Sequence, residues 1–300
     1  MGLQMNETTI SAECNYQSDY VTVNQHQLHY IKSGNGIPVV FVHGIPTYSY
    51  LWRNIIPHLD DCSQCIAIDL LGFGLSDKPE INYDLQTYQN YFKGMLEALQ
   101  LNEMILVLHG FGSVIGLDYA SKNPEKIKGL VLIESHLRPT TDVNDLSLPI
   151  QEMLMMANNQ DKKLNTKISQ ENFFIEKFLP ACIMRNLTEE EMNNYRKPFS
   201  NSDSRKALLD FMQITPSLQQ NKIVMDCISH YSQWLAESNI PKLLLYALPG
   251  FITSMSTVHW AKEHLPETTL VDIGEALHIP QESEPEAIGF AIRQWLQRLC

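Results

Sequence analysis

The chain lacks any hydrophobic run of the length that a membrane span needs, about 20 consecutive apolar residues. Its first 19 residues are polar and hold no apolar stretch of the kind found in a secretory signal. We therefore expect a cytoplasmic protein that has no membrane partner.

Basic residues are also scarce. The 300 residues include 22 Lys and Arg against 34 Asp and Glu, which gives a formal net charge of -12 at pH 7. A negative surface repels phosphate backbones and anionic lipids. The composition argues against nucleic acid as a partner and favours an uncharged or cationic ligand.

A disulfide framework is not indicated either, because the cysteines are scattered and no secretory signal precedes them. Cys62 and Cys65 have the spacing of a redox or zinc half-site, but no second cysteine pair accompanies them. We interpret them as packing residues and expect reduced thiols, no metal and no cofactor. The cysteines are Cys14, Cys62, Cys65, Cys182, Cys227 and Cys300.

Short apolar segments alternate with helical segments along most of the chain, which is typical of parallel strands joined by crossover helices. Strands are predicted at residues 20–23, 28–31, 37–43, 65–70, 104–108, 129–133, 242–246 and 269–271. Helices are predicted at residues 50–59, 85–99, 113–121, 257–264 and 285–299. This order predicts an α/β fold with a mostly parallel eight-stranded sheet flanked by helices.

The alternation stops between Ser135 and Ile240, where only helical segments are predicted, among them residues 151–158, 171–179 and 187–199. An insertion at the carboxyl edge of a parallel sheet lies where such sheets bind ligands. We therefore predict a polar N-terminal tail at residues 1–19, a core at 20–135 and 241–300, and a helical cap, or lid, at 136–240.

Three motifs follow predicted strands: HGIPT at residues 43–47, LHGFG at 108–112, and His278 beyond the last strand. The second resembles the strand-to-helix turn of α/β-hydrolases, in which a nucleophile stands between two small residues. Gly110 occupies the nucleophile slot, so no side chain can attack from this turn. Ser113 and Ser135 remain as alternative nucleophiles, although Ser113 is expected on the helix behind the turn.

The segment HGIPTYSYLWRNII, residues 43–56, resembles haloalkane dehalogenases, a family of the α/β-hydrolase superfamily to which the coelenterazine luciferases are related. The resemblance covers nearly the whole chain after about residue 20, cap included. It continues through GFGLSDKP (72–79), GLVLIES (129–135), LTEEEMNNYRKPF (187–199) and HIPQESEPEAIG (278–289).

In that family an aspartate displaces halide, a His activates water, and an acid orients the His. The resemblance assigns the base to His278 and the acid to Glu134, as in the subfamily whose acid follows strand 6. It also implies that Gly110 replaces the aspartate, Phe111 a halide-binding Trp and Ile45 a halide-binding Asn. The three residues that would carry out dehalogenation are thus all replaced, whereas the base and its orienting acid remain.

The backbone N–H groups of Ile45 and Phe111 can still form an oxyanion hole, because substituting a side chain does not delete a backbone donor. We expect a cofactor-independent enzyme in which His278 and Glu134 act on a hydrophobic small molecule by cyclisation, isomerisation, elimination or lyase chemistry. Two alternatives stay open: an inactive homologue that binds a hydrophobic ligand or a protein, and a hydrolase with a His278-activated water. His278 could also be a core histidine, those amides could merely meet water, and His109 is expected to serve packing.

Overall fold

The predicted eight-stranded, mostly parallel sheet is confirmed. The structure, a computed structural model, describes residues 10–139, 162–215 and 221–299. The strand order is β1-β2-β4-β3-β5-β6-β7-β8, in which β2 pairs antiparallel with β1 and β4 and the other neighbours are parallel. The strands are β1 Gln17–Val23, β2 His26–Ser33, β3 Pro38–Val42, β4 Gln64–Ile68, β5 Met104–Gly110, β6 Ile127–Ser135, β7 Lys242–Pro249 and β8 Thr268–Ala276.

Helices cover the sheet and make its central strands inaccessible to solvent; every residue of β5 is buried. Strands that are covered on both faces are mostly apolar, which explains the nearly continuous hydrophobic runs in the sequence. Among the described residues, no helix combines the length and the apolar character needed to cross a bilayer. The helices are α1 Leu85–Ala98, α2 Phe111–Lys122, α3 Lys162–Glu171, α4 Glu189–Arg196, α5 Lys206–Ile214, α6 Lys222–Glu237, α7 Met255–His264 and α8 Pro285–Leu299.

Two local predictions need correction. The helix predicted at residues 50–59 is wrong, because the segment forms two 3₁₀ turns, Ser49–Trp52 and Ile56–His58. Pro57 lies in the second turn and has no N–H to continue an α-helical hydrogen-bond ladder. The first strand begins at Gln17 and not at residue 20, because Gln17 pairs with Lys32 and extends the antiparallel ladder into the predicted tail.

Between β6 and β7 the described chain is helical, and the limits 136–240 of the cap stay a prediction. Helices α3 to α6 lie here, together with a π-turn at Phe174–Phe178 that continues into one α turn at Leu179–Ala181. A capping box formed by Thr188 and Glu191 fixes the start of α4. The predicted segment at residues 151–158 lies outside the described residues.

A buried ionic cluster joins α4 to the loop that follows β8. The guanidinium of Arg53 donates to both carboxylate oxygens of Glu282, at 2.5 and 2.9 Å, and to Glu191 at 2.9 Å. Arg185 bridges the same two carboxylates, and the Tyr195 hydroxyl donates to Glu282 at 2.5 Å. Buried charges need such partners because each one loses its hydration. The cluster fixes the segment that begins four residues after His278.

We expect Arg53→Met to lower the free energy of unfolding by about 3–5 kcal/mol, because the buried carboxylates of Glu282 and Glu191 would each lose a partner. Arg293→Met is the matched control, since it removes an ion pair with the exposed Asp61 and should cost less than about 1 kcal/mol. Urea unfolding of both variants measures the two losses. Equal losses would contradict a stabilising role of the cluster.

Candidate active site

Gly110 ends β5 and is followed directly by the first residue of α2, so it forms the whole turn between strand and helix. Its backbone angles, φ 52° and ψ -129°, are ones that a residue with a Cβ adopts only under strain. A Cβ built on Gly110 would stand 3.2 Å from the Cα of Gly44 and 3.3 Å from Nε2 of His278. The turn therefore lies against both the loop after β3 and the imidazole of His278.

Glu134 is the penultimate residue of β6, and its carboxylate is buried with 2% exposure. The backbone N–H groups of Phe251, Ile252 and Thr253 donate to this carboxylate at 3.1, 2.7 and 3.3 Å. Glu134 has a φ of 45°, a conformation that is uncommon for residues other than glycine and that clusters at functional sites. The strained backbone of Glu134 thus places its carboxylate at the carboxyl edge of the sheet.

The imidazole of His278 is 5% exposed and meets Glu134 through Nδ1, which lies 3.3 Å from Oε2. If the carboxylate accepts this bond, Nδ1 carries the proton and Nε2 keeps its lone pair. Within the described part of the chain, Nε2 of His278 has no hydrogen-bond partner. The structure therefore brings Gly110, Glu134 and His278 together, with Nε2 on the side of Gly110.

His109 holds the loop after β3 and the loop after β8 on either side of the turn. Its Nδ1 accepts the N–H of Gly44 at 3.2 Å, so its Nε2 carries the proton and donates to the carbonyl of His278 at 2.7 Å. Burial, and secondly the charge of His278, lower the pKa of His109 well below its ordinary value. His109 is therefore a neutral residue that positions the backbone of His278.

The two alternative serine nucleophiles are engaged elsewhere. The hydroxyl of Ser113 donates to the carbonyl of Gly110 at 2.7 Å and accepts the N–H of His136 at 2.9 Å. The hydroxyl of Ser135 donates toward the carbonyls of Leu108 and Ile133 at 3.1 and 3.2 Å. In the part of the chain that the structure describes, neither serine is hydrogen-bonded to an imidazole, the arrangement that activates a hydroxyl.

Ile45 and Phe111 lie on the two segments that meet at Gly110, and both residues are buried. Phe111 is the first residue of α2, where a backbone N–H has no acceptor one helical turn earlier. Ile45 follows Gly44, whose Cα faces Gly110. Both amides are thus on segments that border the turn, as the prediction of an oxyanion hole requires; that role stays a prediction.

Sequence reasoning missed His136 and the amides of residues 251–253. The backbone carbonyl of His136 accepts the hydroxyl of Tyr231 at 2.6 Å, while its imidazole has no hydrogen-bond partner in the described residues. Burial and then the charge of His278 lower the pKa of His136 to about 3. The position of His136 two residues after Glu134 is the sequence feature that could have indicated it. For the amides of residues 251–253 the sequence offers only Gly250, which precedes them and has a φ of 68°.

Residues 37–285 match the alpha/beta hydrolase fold family. Among curated proteins, a haloalkane dehalogenase from Agrobacterium fabrum is 32% identical over 275 residues, covering 91% of this chain and 90% of its own length. A haloalkane dehalogenase from Sphingobium indicum is 33% identical over 290 residues, covering 94% and 96%.

Solved structures agree with this similarity. The haloalkane dehalogenase DatA from Agrobacterium tumefaciens C58 superposes with a TM-score of 0.90 at 32% identity, covering 95% of this chain and 97% of its own. The haloalkane dehalogenase DbeA from Bradyrhizobium elkani superposes with a TM-score of 0.91 at 30% identity, covering 95% and 99%. The similarity therefore extends over nearly the full length of this chain and of each of the two dehalogenases.

The neutral state of His136 leads to an expected acid sensitivity. In the unfolded chain this residue titrates near pH 6.5, whereas in the folded protein its pKa is about 3, so acid favours the unfolded chain. The stabilising contribution is complete above about pH 6.5 and is lost as the pH falls toward about 3, by up to about 1.4 kcal/mol per pH unit.

His136→Phe should therefore reduce the fall of Tm with decreasing pH, whereas His259→Phe, at an exposed position, should leave it unchanged. A pH series of thermal melts measures the slopes. If His136→Phe and the unsubstituted protein lose stability at the same rate, the imidazole of His136 is not held neutral by burial.

We expect Gly110→Ala to lower the free energy of unfolding by about 1–3 kcal/mol through backbone strain, with an added cost from crowding against His278 and Gly44. Gly274→Ala is the matched control, because Gly274 also has a positive φ, 97°, but a Cβ there would meet nothing closer than 3.8 Å. Chemical denaturation compares the two. A loss in Gly110→Ala no larger than that in Gly274→Ala would show that crowding against His278 and Gly44 adds no cost.

Proposed function

Because this chain belongs to the haloalkane dehalogenase family of the α/β-hydrolase superfamily, we propose that it is an enzyme in which His278, oriented by Glu134, acts as a general base on a hydrophobic small molecule. Gly110 stands where the family resemblance places the nucleophilic aspartate, so the proposed reaction has no covalent intermediate at this position. Cyclisation, isomerisation, elimination and lyase reactions are compatible with a site that has a general base and its orienting acid but no nucleophile.

The observation that carries the proposal is the relation between His278 and Gly110. A Cβ on Gly110 would lie 3.3 Å from Nε2 of His278, so with glycine at this position no side chain of the turn stands against the base. A base must come within about 3.5 Å of the atom that it deprotonates. A substrate carbon or a water at the position of that Cβ would meet this requirement.

Aromatic side chains around His278 favour a hydrophobic ligand. Phe251 stacks on the imidazole with ring centroids 5.1 Å apart, and Phe178 contacts Phe251 at 6.2 Å. Phe111 contacts Phe211 at 5.2 Å, edge to face. Phe178 and Phe211 come from the segment between β6 and β7, so that segment contributes apolar side chains next to Phe251 and Phe111.

In the proposed cycle, Nε2 of His278 takes a proton from the substrate, and the carboxylate of Glu134 stabilises the imidazolium that forms. The backbone N–H groups of Ile45 and Phe111 bind the negative charge that develops on the substrate as an enolate or alkoxide. His278 then returns the proton at a second substrate atom or to a leaving group. None of these steps requires a cofactor.

Nε2 of His278 has no hydrogen-bond partner among the described residues, which favours a second candidate, hydrolysis by a water that Nε2 activates. The two functions differ in what enters the product. Hydrolysis in ¹⁸O-labelled water places one oxygen label in the product, whereas isomerisation, cyclisation and elimination place none.

A panel of hydrophobic ketones, esters and bromoalkanes, incubated in D₂O and analysed by mass spectrometry, tests the proposal. We expect proton exchange or rearrangement of a panel member to fall by at least about 100-fold in His278→Gln and by about 10-fold or more in Glu134→Gln. His264→Gln, at an exposed position, is the matched control and should retain full activity.

Equal turnover by His278→Gln would overturn the role of the base, and bromide release above background would show that dehalogenation persists. A panel member that raises Tm in the unsubstituted protein without any conversion would instead identify an inactive homologue that binds hydrophobic ligands.

A further inference from the structure

Ser18, His29 and Asp69 form a continuous hydrogen-bonded chain at the opposite end of the sheet order from His278. Ser18 pairs with Ile31 and Tyr20 with His29 across β1 and β2, so Ser18 and His29 are diagonal neighbours on one face. The Oγ of Ser18 lies 2.6 Å from Nε2 of His29, and Nδ1 of His29 lies 2.7 Å from Oδ2 of Asp69.

The donors in this chain can be assigned from Asp69. Its buried carboxylate accepts the backbone N–H groups of Ser49 and Leu75 at 2.7 and 2.8 Å. Burial alone would raise the pKa of Asp69, but the hydrogen bonds from His29 and from the backbone N–H of Leu75 act in the opposite direction, and the pKa is lowered. An ionised carboxylate only accepts, so Nδ1 of His29 is the donor.

The remaining nitrogen of a neutral His29, Nε2, is therefore an acceptor, and the hydroxyl of Ser18 donates to it. This is the direction that prepares a hydroxyl for attack, with a base that is itself oriented by a buried acid. The imidazole of His29 is 2% exposed, whereas Ser18 is exposed and accessible to a reagent.

Ser18 and His29 also line a cleft of about 340 Å³. Its walls include Tyr48, Tyr50 and Leu75, and none of its lining residues belongs to the His278 site. The hydroxyls of Tyr48 and Tyr50 donate to backbone carbonyls, so these rings offer the cleft mainly apolar surface. The cleft is large enough for a small organic group next to the serine.

Four other residues of the cleft bear on its chemistry. Burial raises the pKa of the Cys14 thiol to about 11, so Cys14 is protonated near neutral pH and does not compete with Ser18 as a nucleophile. Lys197 is exposed, and its ammonium has no ionic or hydrogen-bond partner among the residues that the structure describes. The Lys197 ammonium can therefore stabilise the negative charge that develops on a carbonyl oxygen in the cleft when Ser18 attacks. Glu13 and Glu190 also line the cleft and disfavour anionic substrates.

We infer that Ser18, His29 and Asp69 form a second catalytic site that hydrolyses small, uncharged carboxylic esters. The Oγ of Ser18 attacks the ester carbonyl carbon while its proton moves to Nε2 of His29. The bond to the leaving alcohol then breaks, and His29 gives that proton to the departing oxygen. Water attacks the acyl ester on Ser18 in the same way, and the carboxylic acid leaves as Ser18 regains its proton.

Labelling with an alkyl fluorophosphonate, followed by peptide mass spectrometry, tests the nucleophile. We expect the label on Ser18, lost in Ser18→Ala and reduced at least 10-fold in His29→Gln, with a matching loss of p-nitrophenyl acetate hydrolysis. Ser33→Ala is the matched control, because the hydroxyl of Ser33 on β2 donates to the carboxylate of Asp60 and to no imidazole. Labelling of Ser18 no faster than of Ser33 would overturn the inference.

Because His29 is buried, misfolding of His29→Gln would also abolish labelling. A second variant therefore tests the role of His29 while leaving that residue in place. In Ser18→Cys the neighbouring imidazole should take the thiol proton and speed alkylation. We expect iodoacetamide to react at position 18 at least 10-fold faster than at the exposed Cys62 of the same chain. An equal or slower rate at position 18 would show that His29 does not activate this position, and would overturn the inference independently of the fluorophosphonate result.

Discussion

The buried carboxylate of Glu134 is the constraint on which the arrangement of this site depends. A charge that is 2% exposed is costly unless hydrogen bonds replace its hydration, and here three backbone amides after β7 and the imidazole after β8 do so. One charge on β6 therefore fixes the loops that follow two neighbouring strands. The positive φ of Glu134 is the local cost of turning its side chain to these partners.

Two further contacts fix the backbone at His278 and the segment that follows it. His109 accepts from the loop after β3 and donates to the carbonyl of His278, so hydrogen bonds join the turn, this loop and the backbone of the base. Four residues later, Glu282 enters the ionic cluster with Arg53 and Arg185. An imidazole fixed in this way loses little freedom when it meets a substrate, which is the condition under which positioning lowers a barrier.

The sequence predicted the strands well because each buried strand is a continuous apolar run between turn residues. It also predicted Gly110, Glu134 and His278 as neighbours, since all three follow or end strands of one sheet edge. It could not predict the pair of Arg53 and Glu282, which are 229 positions apart, or the chain from Ser18 to Asp69, because such contacts leave no local periodicity. At residues 50–59 the apolar spacing favoured a helix, and Pro57 and the surrounding packing prevented one.

The retention of a buried His and Glu beside a glycine also bears on what the site does. Stability alone gives little reason for such a pair, because apolar residues of similar volume often replace buried ionic groups without loss. Glycine at position 110 relieves a strained turn, and this gain needs neither His278 nor Glu134. The proposed proton transfer, by contrast, uses both: a base whose Nε2 faces Gly110 and an acid that fixes the orientation of that base. The pair is thus what the proposed chemistry at Nε2 of His278 would require.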